Sequence, residues 1–193
     1  GGKDSVVLTH LVSTIYTNLK AFCIRWYSWG IFDYPETEHF VRQYIDQLSY
    51  PPKIFIVSRS AATPETEELN TEFFAKLSED IHQYRLFHGF IGLRKEESWS
   101  RTRKLLTGWS AHEHGQTIHC PLANWTVKDI WAYIYTHQLP IHPMYGKELA
   151  GFTRDTLRLG IWCDTGYSNR GLFVWLQQAY PDLWARSKKH GWV

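Results

Sequence analysis

The chain has 193 residues, of which 44% are hydrophobic and 21% are charged, a composition that suits one globular domain with a full core. Its 21 Lys and Arg against 19 Asp and Glu leave a net charge of +2, which supports neither a disordered acidic tail nor a surface that strongly coats nucleic acid. The three cysteines, Cys23, Cys120 and Cys163, cannot form a disulfide framework or a four-thiolate metal site within one chain. Because the sequence shows no signal peptide and no apolar run of membrane-spanning length, we expect a soluble protein of the reducing cytoplasm.

The chain begins with a glycine-rich turn that leads into a helix, formed by Gly1, Gly2, Lys3, Asp4 and Ser5. Glycines let the backbone approach a ligand closely, and the first amides of a helix attract phosphate. Lys3 adds a mobile cation, and Asp4 and Ser5 can cap the helix or reach a magnesium ion held by a polyphosphate. The spacing differs from the Walker A motif, which disfavours an ordinary ATPase or GTPase loop. The alternative is that Gly1 and Gly2 are the remnant of a cleaved tag.

Predicted strands and helices alternate along the chain. Aromatic and β-branched residues predict strands over 21–27, 53–57, 87–93 and 117–120. Apolar spacing predicts helices over 5–19, from Pro35-Glu36-Thr37 to Leu48, over 69–81, up to about Leu106, from about Thr126, and over 171–180, ended by Pro181. The alternation predicts an α/β domain with a parallel sheet. We expect residues 1–193 to form one domain, in which 140–193 are a loop-rich and helical C-terminal extension.

A second charged segment follows the strand predicted over 87–93. Residues 92–101 leave the carboxyl end of this strand and enter a helix, which is where open α/β sheets bind their ligands. Arg94 and Arg101 could grip a phosphate or sulfate bidentately, with Arg103 and Lys104 enlarging the positive field. The alternative is a solvated helix face on which Glu97 and Arg101 form a weak i,i+4 ion pair.

Two further clusters carry weaker signals. His112, Glu113 and His114, with His119 and Cys120 nearby, lack paired metal-ligand spacing, so we interpret them as a polar loop and predict no metal site. The basic end, residues 188–192, could touch nucleic acid, although a solvated end is the simpler interpretation.

Three segments together resemble one superfamily. Residues 1–5 are similar to the PP-loop motif Ser-Gly-Gly-x-Asp-Ser, but they lack its first serine. This motif is found in ATP pyrophosphatases and phosphoadenylylsulfate (PAPS) reductases. Residues 92–101 match the family segment Gly-Ile-Arg-x-x-Glu-Ser-x-x-Arg except at Leu93. Residues 121–131 are similar to Pro-Leu-x-x-Trp-Thr-x-x-Asp-Val-Trp, followed by Leu139-Pro140 and Pro143-Met144-Tyr145. In this third segment we expect a structural role, with Thr126 and Asp129 as a capping box variant.

The resemblance covers residues 1 to about 145 and is closest to the PAPS reductase domain family. Pro35-Glu36-Thr37 fits the Pro-Glu-Thr of the family, whereas Trp29-Gly30-Ile31 stands near the place of its Asp-Thr-Gly. Residues 158–160 and Trp162-Cys163 are similar more loosely. The resemblance implies an adenine nucleotide alpha hydrolase-like fold, a three-layer α/β/α arrangement with about five mostly parallel strands. Because the loop follows the first strand in that family, we expect this strand to precede Gly1.

The resemblance also implies the ligand and its site. We expect ATP or PAPS as the ligand, with Mg²⁺ as an accompanying ion and no iron–sulfur cluster. The expected nucleotide-binding residues are Gly1, Gly2, Lys3, Asp4, Ser5, Arg94, Glu97, Ser98 and Arg101, of which Lys3, Asp4, Arg94 and Arg101 are the expected catalytic ones. We expect replacement of Arg94 or Arg101 to weaken ligand binding without affecting folding.

Within the family, the reaction stays open between several classes. The reductases carry a nucleophilic cysteine in a Glu-Cys-Gly-type tail, but no cysteine lies beyond Cys163, which we interpret as a buried, unreactive thiol. We therefore predict that the chain does not reduce PAPS by itself through a tail thiol. The alternatives are an adenylating ATP pyrophosphatase, a sulfur-transfer enzyme of nucleic-acid modification, and a non-catalytic nucleotide-binding subunit with a partner or as a homodimer. A divergent member from a phage or mobile element also fits.

Overall fold

A computed structural model describes residues 1–28, 31–32, 34–49, 53–60, 78–79, 81–106, 112–113, 116–159 and 172–189. The helices are α1 (Lys3–Ser13), α2 (Thr37–Asp46), α3 (Trp99–Leu106), α4 (Val127–Thr136), α5 (Leu172–Ala179) and α6 (Pro181–Lys189). The strands are β1 (Lys20–Ser28), β2 (Ile31–Phe32), β3 (Lys53–Ser60), β4 (His88–Phe90), β5 (His112–Glu113) and β6 (Gln116–His119), with 3₁₀ turns at Lys95–Glu97 and Pro143–Gly146. Most of the helix predicted over 69–81, Trp29-Gly30, His114, Trp162-Cys163 and residues 190–192 lie outside the described residues.

The strands form two groups of three, in the orders β2-β1-β3 and β4-β6-β5. Strand β1 is parallel to β3 from Lys20 opposite Lys53 to Tyr27 opposite Ser60, and β4 is parallel to β6. Strands β2 and β5 add antiparallel edges that sequence reasoning missed, because two residues carry too little pattern to predict a strand. The α/β class is confirmed, while a single sheet of about five strands in three layers stays a prediction.

Several element bounds differ from the prediction. Helix α1 ends at Ser13 instead of Leu19, since the hydroxyls of Ser13 and Thr14 bond back to the carbonyls of the preceding turn. Strand β3 continues to Ser60 because its pairing with β1 does, so it runs three residues beyond the strand predicted over 53–57. Pro181 ends α5 as predicted but also opens α6, where its missing N–H costs nothing at the first helical position.

The described core lies around α1 and α4, which contact each other. Its largest cluster buries apolar side chains of these helices and of α5, among them Val7, Leu8, Val12, Ile130, Trp131, Ile134, Leu172, Trp175 and Leu176. The predicted capping box is confirmed: the hydroxyl of Thr126 accepts the N–H of Asp129, whose carboxylate accepts the N–H of Thr126. Within the described part of the chain, every helix is too short or too polar to cross a bilayer.

One close approach brings the two predicted binding segments together. A Cβ on Gly92, just after β4, would stand 3.3 Å from the carbonyl oxygen and 3.4 Å from the carbonyl carbon of Asp4. Both atoms belong to the backbone at the start of α1, so they cannot move aside as a flexible side chain would. A glycine at position 92 therefore lets the segment after β4 lie directly against the glycine turn.

We predict that Gly92→Ala destabilises the protein relative to Gly146→Ala. Overpacking costs about 1 to 3 kcal/mol, whereas an alanine that fits gains about 0.4 to 1 kcal/mol through the unfolded chain. Gly146 is the matched control, since its Cβ would meet nothing within 4 Å. Urea unfolding of both variants measures the difference, and equal stabilities would show that Gly92 does not lie against Asp4.

Candidate functional site

The glycine turn forms the start of α1. Gly2 is its N-cap in an extended conformation, and the N–H of Val6 donates to the carbonyl of Gly2 at 3.0 Å. The N–H of Lys3 donates to the hydroxyl of Tyr145 at 3.1 Å. For the next two amides, those of Asp4 and Ser5, no protein acceptor lies in the described part of the chain. The start of α1 therefore offers two amide donors that suit an anion.

The side chain of Lys3 is buried, with 3% of its surface exposed. Its Nζ lies 3.4 Å from the carbonyl oxygen of Leu157 and 3.6 Å from Asp4 Oδ2. Burial lowers the pKa of Lys3, with Asp4 opposing the shift and Arg94 reinforcing it. In this structure the amino group is held against the protein, which differs from the mobile cation expected from the sequence.

Arg94 joins the turn to the second charged segment. Its Nε lies 2.5 Å from Asp4 Oδ1, and its Nη1 donates to Glu96 Oε2 at 3.0 Å. The same Glu96 oxygen accepts the N–H of Val127, the first residue of α4, at 2.7 Å. Because Arg94 is only 3% exposed, it does not lie on a solvated helix face, and we now expect its loss to affect folding as well as ligand binding.

Glu97 lies between two further arginines. Its Oε2 accepts the N–H of Arg94 at 3.2 Å and a hydrogen bond from Arg101, the predicted i,i+4 partner, while Oε1 lies 3.5 Å from Arg158 Nη1. Burial favours the neutral acid, but the hydrogen bond from Arg94 and the charges of Arg101 and Arg158 outweigh it and lower the pKa of Glu97. The hydroxyl of Ser98 accepts the N–H of Arg101, so Ser98 caps the start of α3.

Sequence reasoning gave no site role to Tyr145, which accepts the N–H of Lys3, or to His142, which caps the 3₁₀ turn that contains Tyr145. His142 is 1% exposed, its Nδ1 accepts the N–H of Met144 at 3.1 Å and its Nε2 lies 3.3 Å from the hydroxyl of Thr37. Burial lowers the pKa of His142 to about 4 and raises that of Tyr145 to about 12, so both are neutral at pH 7. The signal that could have identified Tyr145 is the Pro143-Met144-Tyr145 match to the family.

The described residues give no support for a metal centre. Among them, no group of three or more His, Cys, Asp or Glu side chains could hold a metal ion. At the turn, one oxygen of Asp4 faces Arg94 and the other faces Lys3, so its carboxylate is already paired with cations. These contacts do not fit a role for Asp4 as a magnesium ligand.

The lowered pKa of Glu97 predicts a pH-dependent contribution to stability. The ionised form of Glu97 stabilises the folded state fully at pH values above 4.5, the ordinary pKa of a glutamate in the unfolded chain. This stabilisation is lost as the pH falls through the lower pKa that Glu97 has in the folded state. We expect Glu97→Gln to lower the free energy of unfolding by a constant amount above about pH 5 and by progressively less below it. Urea titrations from pH 3 to 7 measure this, and a difference that does not change with pH would contradict the account.

Comparison with known proteins gives the family. The sequence pattern of the phosphoadenosine phosphosulfate reductase domain matches residues 1–167. A phosphoadenosine 5′-phosphosulfate reductase of Xylella fastidiosa is 26% identical over an alignment of 160 residues, which covers 75% of this chain and 64% of the relative. An adenosine 5′-phosphosulfate reductase of Halalkalibacterium halodurans is 31% identical over an alignment of 106 residues, which covers 50% of this chain and 45% of the relative. An adenosine 5′-phosphosulfate reductase of Bacillus mycoides is 39% identical over an alignment of 83 residues, which covers 42% of this chain and 33% of the relative.

The chain therefore spans less than two thirds of the length of these relatives. Its matched region contains the glycine turn, the segment around Arg94 and the segment around Tyr145. On the match over residues 1–167, the chain belongs to the phosphoadenosine phosphosulfate reductase domain family.

Proposed function

We propose that the chain binds a sulfonucleotide, adenosine 5′-phosphosulfate (APS) or PAPS, with the phosphate at the start of α1. The observation that carries this proposal is the packing of the glycine turn against the Arg94 segment through the pair of Asp4 and Arg94. The amides of Asp4 and Ser5 lie in the first turn of α1, and backbone N–H groups at the N-terminus of a helix bind phosphate oxygens. The names of the matched relatives, which are APS and PAPS reductases, favour this ligand class over ATP.

The same donors suit the chemistry of sulfonucleotide reduction. A thiolate attacks the sulfur, the bond between sulfur and the bridging oxygen breaks, and its electron pair stays on the nucleotide phosphate. A second thiol then releases sulfite and forms a disulfide. Negative charge develops on the phosphate as it leaves, so fixed donors around it lower the barrier. Positioning and electrostatics are the contributions we assign to this site.

We assign two kinds of role to the predicted catalytic residues. Lys3, Asp4 and Arg94 are positioning residues, since their charged groups are engaged with the protein and two of them are almost fully buried. Arg101, whose side chain is 35% exposed, is the residue of this set that contacts the ligand. Gly1 lets the turn pack closely against the protein, because a Cβ there would stand 3.1 Å from the side chain of Leu159, and Gly2 is the extended N-cap that precedes the two amide donors.

The attacking thiol is supplied in this proposal by an external dithiol reductant. Cys120 is half-buried, and burial raises the pKa of its thiol, which lowers the fraction of reactive thiolate.

The small number of cysteines fits a reducing compartment, and we place the chain in the cytoplasm. ATP pyrophosphatase chemistry and a non-catalytic nucleotide-binding subunit are the competing functions.

Binding and product measurements on the unmodified chain separate these functions. The proposal predicts that calorimetry detects binding of APS or PAPS, and that a dithiol reductant releases sulfite from the bound nucleotide. Pyrophosphate release from ATP would instead assign an adenylating enzyme. Sulfonucleotide binding without sulfite would assign a binding subunit, and no binding of APS, PAPS or ATP would contradict the proposal.

We predict that Arg101→Gln weakens binding of the preferred sulfonucleotide roughly 10- to 100-fold, because a charge-assisted contact contributes about 1.5 to 3 kcal/mol. Arg103→Gln is the matched control: it removes the same charge from the same helix, but Arg103 is exposed and stacks on the ring of Trp99 at 4.7 Å. We expect this control to retain affinity within about twofold, as is common for a screened surface charge. Equal losses in both variants would show a long-range charge effect, and no loss in Arg101→Gln would remove that residue from the site.

A further inference from the structure

A third arginine, Arg158, lies beside the glycine turn. Arg158 lies outside the PP-loop motif of residues 1–5 and outside the Arg94 segment of residues 92–101, and it comes much later in the chain than both. Its side chain is 32% exposed, a value close to that of Arg101 and far above the 4% of Arg94. It is therefore a cation that a bound ligand can reach.

The residues on both sides of Arg158 contact the turn. The carbonyl oxygen of Leu157 lies 3.4 Å from Lys3 Nζ. The side chain of Leu159 lies 3.1 Å from where a Cβ of Gly1 would stand and 3.7 Å from the same point on Gly2. The backbone of Arg158 is thus held along the turn by its two neighbours.

The guanidinium of Arg158 shares Glu97 with Arg101. Its Nη1 lies 3.5 Å from Glu97 Oε1, and its Nη2 donates to the carbonyl oxygen of Glu97 at 3.4 Å. Arg101 binds the other carboxylate oxygen. Two partly exposed cations therefore flank one carboxylate. The positive charge of Arg158 also interacts electrostatically with Lys3 and with Tyr145. These two residues form the hydrogen bond that fixes the turn.

We propose that Arg101 and Arg158 form a clamp for the terminal anionic group of the nucleotide, the sulfate of APS or PAPS, with Glu97 as the positioning residue that spaces them. This inference rests on the proposed function, which places the phosphate at the start of α1. A sulfate presents three oxygens to solvent and suits two planar guanidinium groups better than one.

Affinities for APS and for AMP, which lacks the sulfate, test the clamp. We expect Arg158→Gln to weaken APS binding roughly 10- to 100-fold, as for a lost charge-assisted contact, and AMP binding by less than about twofold. Arg158→Lys keeps the charge without the planar fork and should weaken APS binding by an intermediate factor. Calorimetry gives both affinities, and circular dichroism melting confirms that each variant is folded.

Arg154→Gln is the matched control for this experiment. It removes the same charge from the same segment, but Arg154 contacts Asp155, the hydroxyl of Tyr135 and the ring of Trp131. We expect it to leave the ratio of APS to AMP affinity unchanged. If the unmodified chain discriminates APS from AMP and both Arg158 variants keep that ratio, the clamp is wrong while the proposed function stands. If the unmodified chain binds no sulfonucleotide, both are wrong.

Discussion

The ion pair between Asp4 and Arg94 is the interaction on which the rest of the site depends. It joins residues separated by 90 positions in the chain, and the guanidinium is almost fully buried. Removing one member would leave a desolvated charge without its partner, which costs far more than the loss of a surface ion pair. Through Glu96 the same arginine is linked to the first amide of α4. The start of α1, the segment after β4 and the start of α4 are thus fixed relative to each other before a ligand binds.

This fixed frame separates the cations of the site into two groups. Lys3 and Arg94 are buried and contact protein oxygens, so they hold the frame, whereas Arg101 and Arg158 are about one third exposed and lie where a ligand can reach them. Preorganised donors of this kind need little rearrangement when charge develops on a leaving phosphate. In the proposed function, the chain positions the anion and stabilises the departing nucleotide, and an external thiol supplies the electron pair for the new bond to sulfur.

Sequence patterns predict the turns and caps of the site, but they do not predict the contacts between segments that are distant in the chain. Short sequence patterns predict three features: the glycine turn, the segment of residues 92–101 and the capping box at Thr126. They can do so because caps and turns depend on neighbours within a few positions. The burial of Arg94 does not follow, since its partner Asp4 is distant in the chain and only the fold brings them together. Tyr145 and Arg158 were missed as site residues for the same reason: Tyr145 contacts the turn across 142 positions and Arg158 contacts Glu97 across 61, and contacts at such distances leave no periodicity in the sequence.

A double-mutant cycle on Asp4→Asn and Arg94→Gln tests most directly whether the pair joins the turn and the arginine segment into one site. Urea unfolding gives the stability of the two single variants, the double variant and the unmodified chain, and calorimetry gives their sulfonucleotide affinities. The account predicts that the two single losses in unfolding free energy do not add, with a coupling of about 1 to 3 kcal/mol, and that either single change weakens nucleotide binding. Additive losses in stability, together with unchanged affinity in all variants, would contradict it.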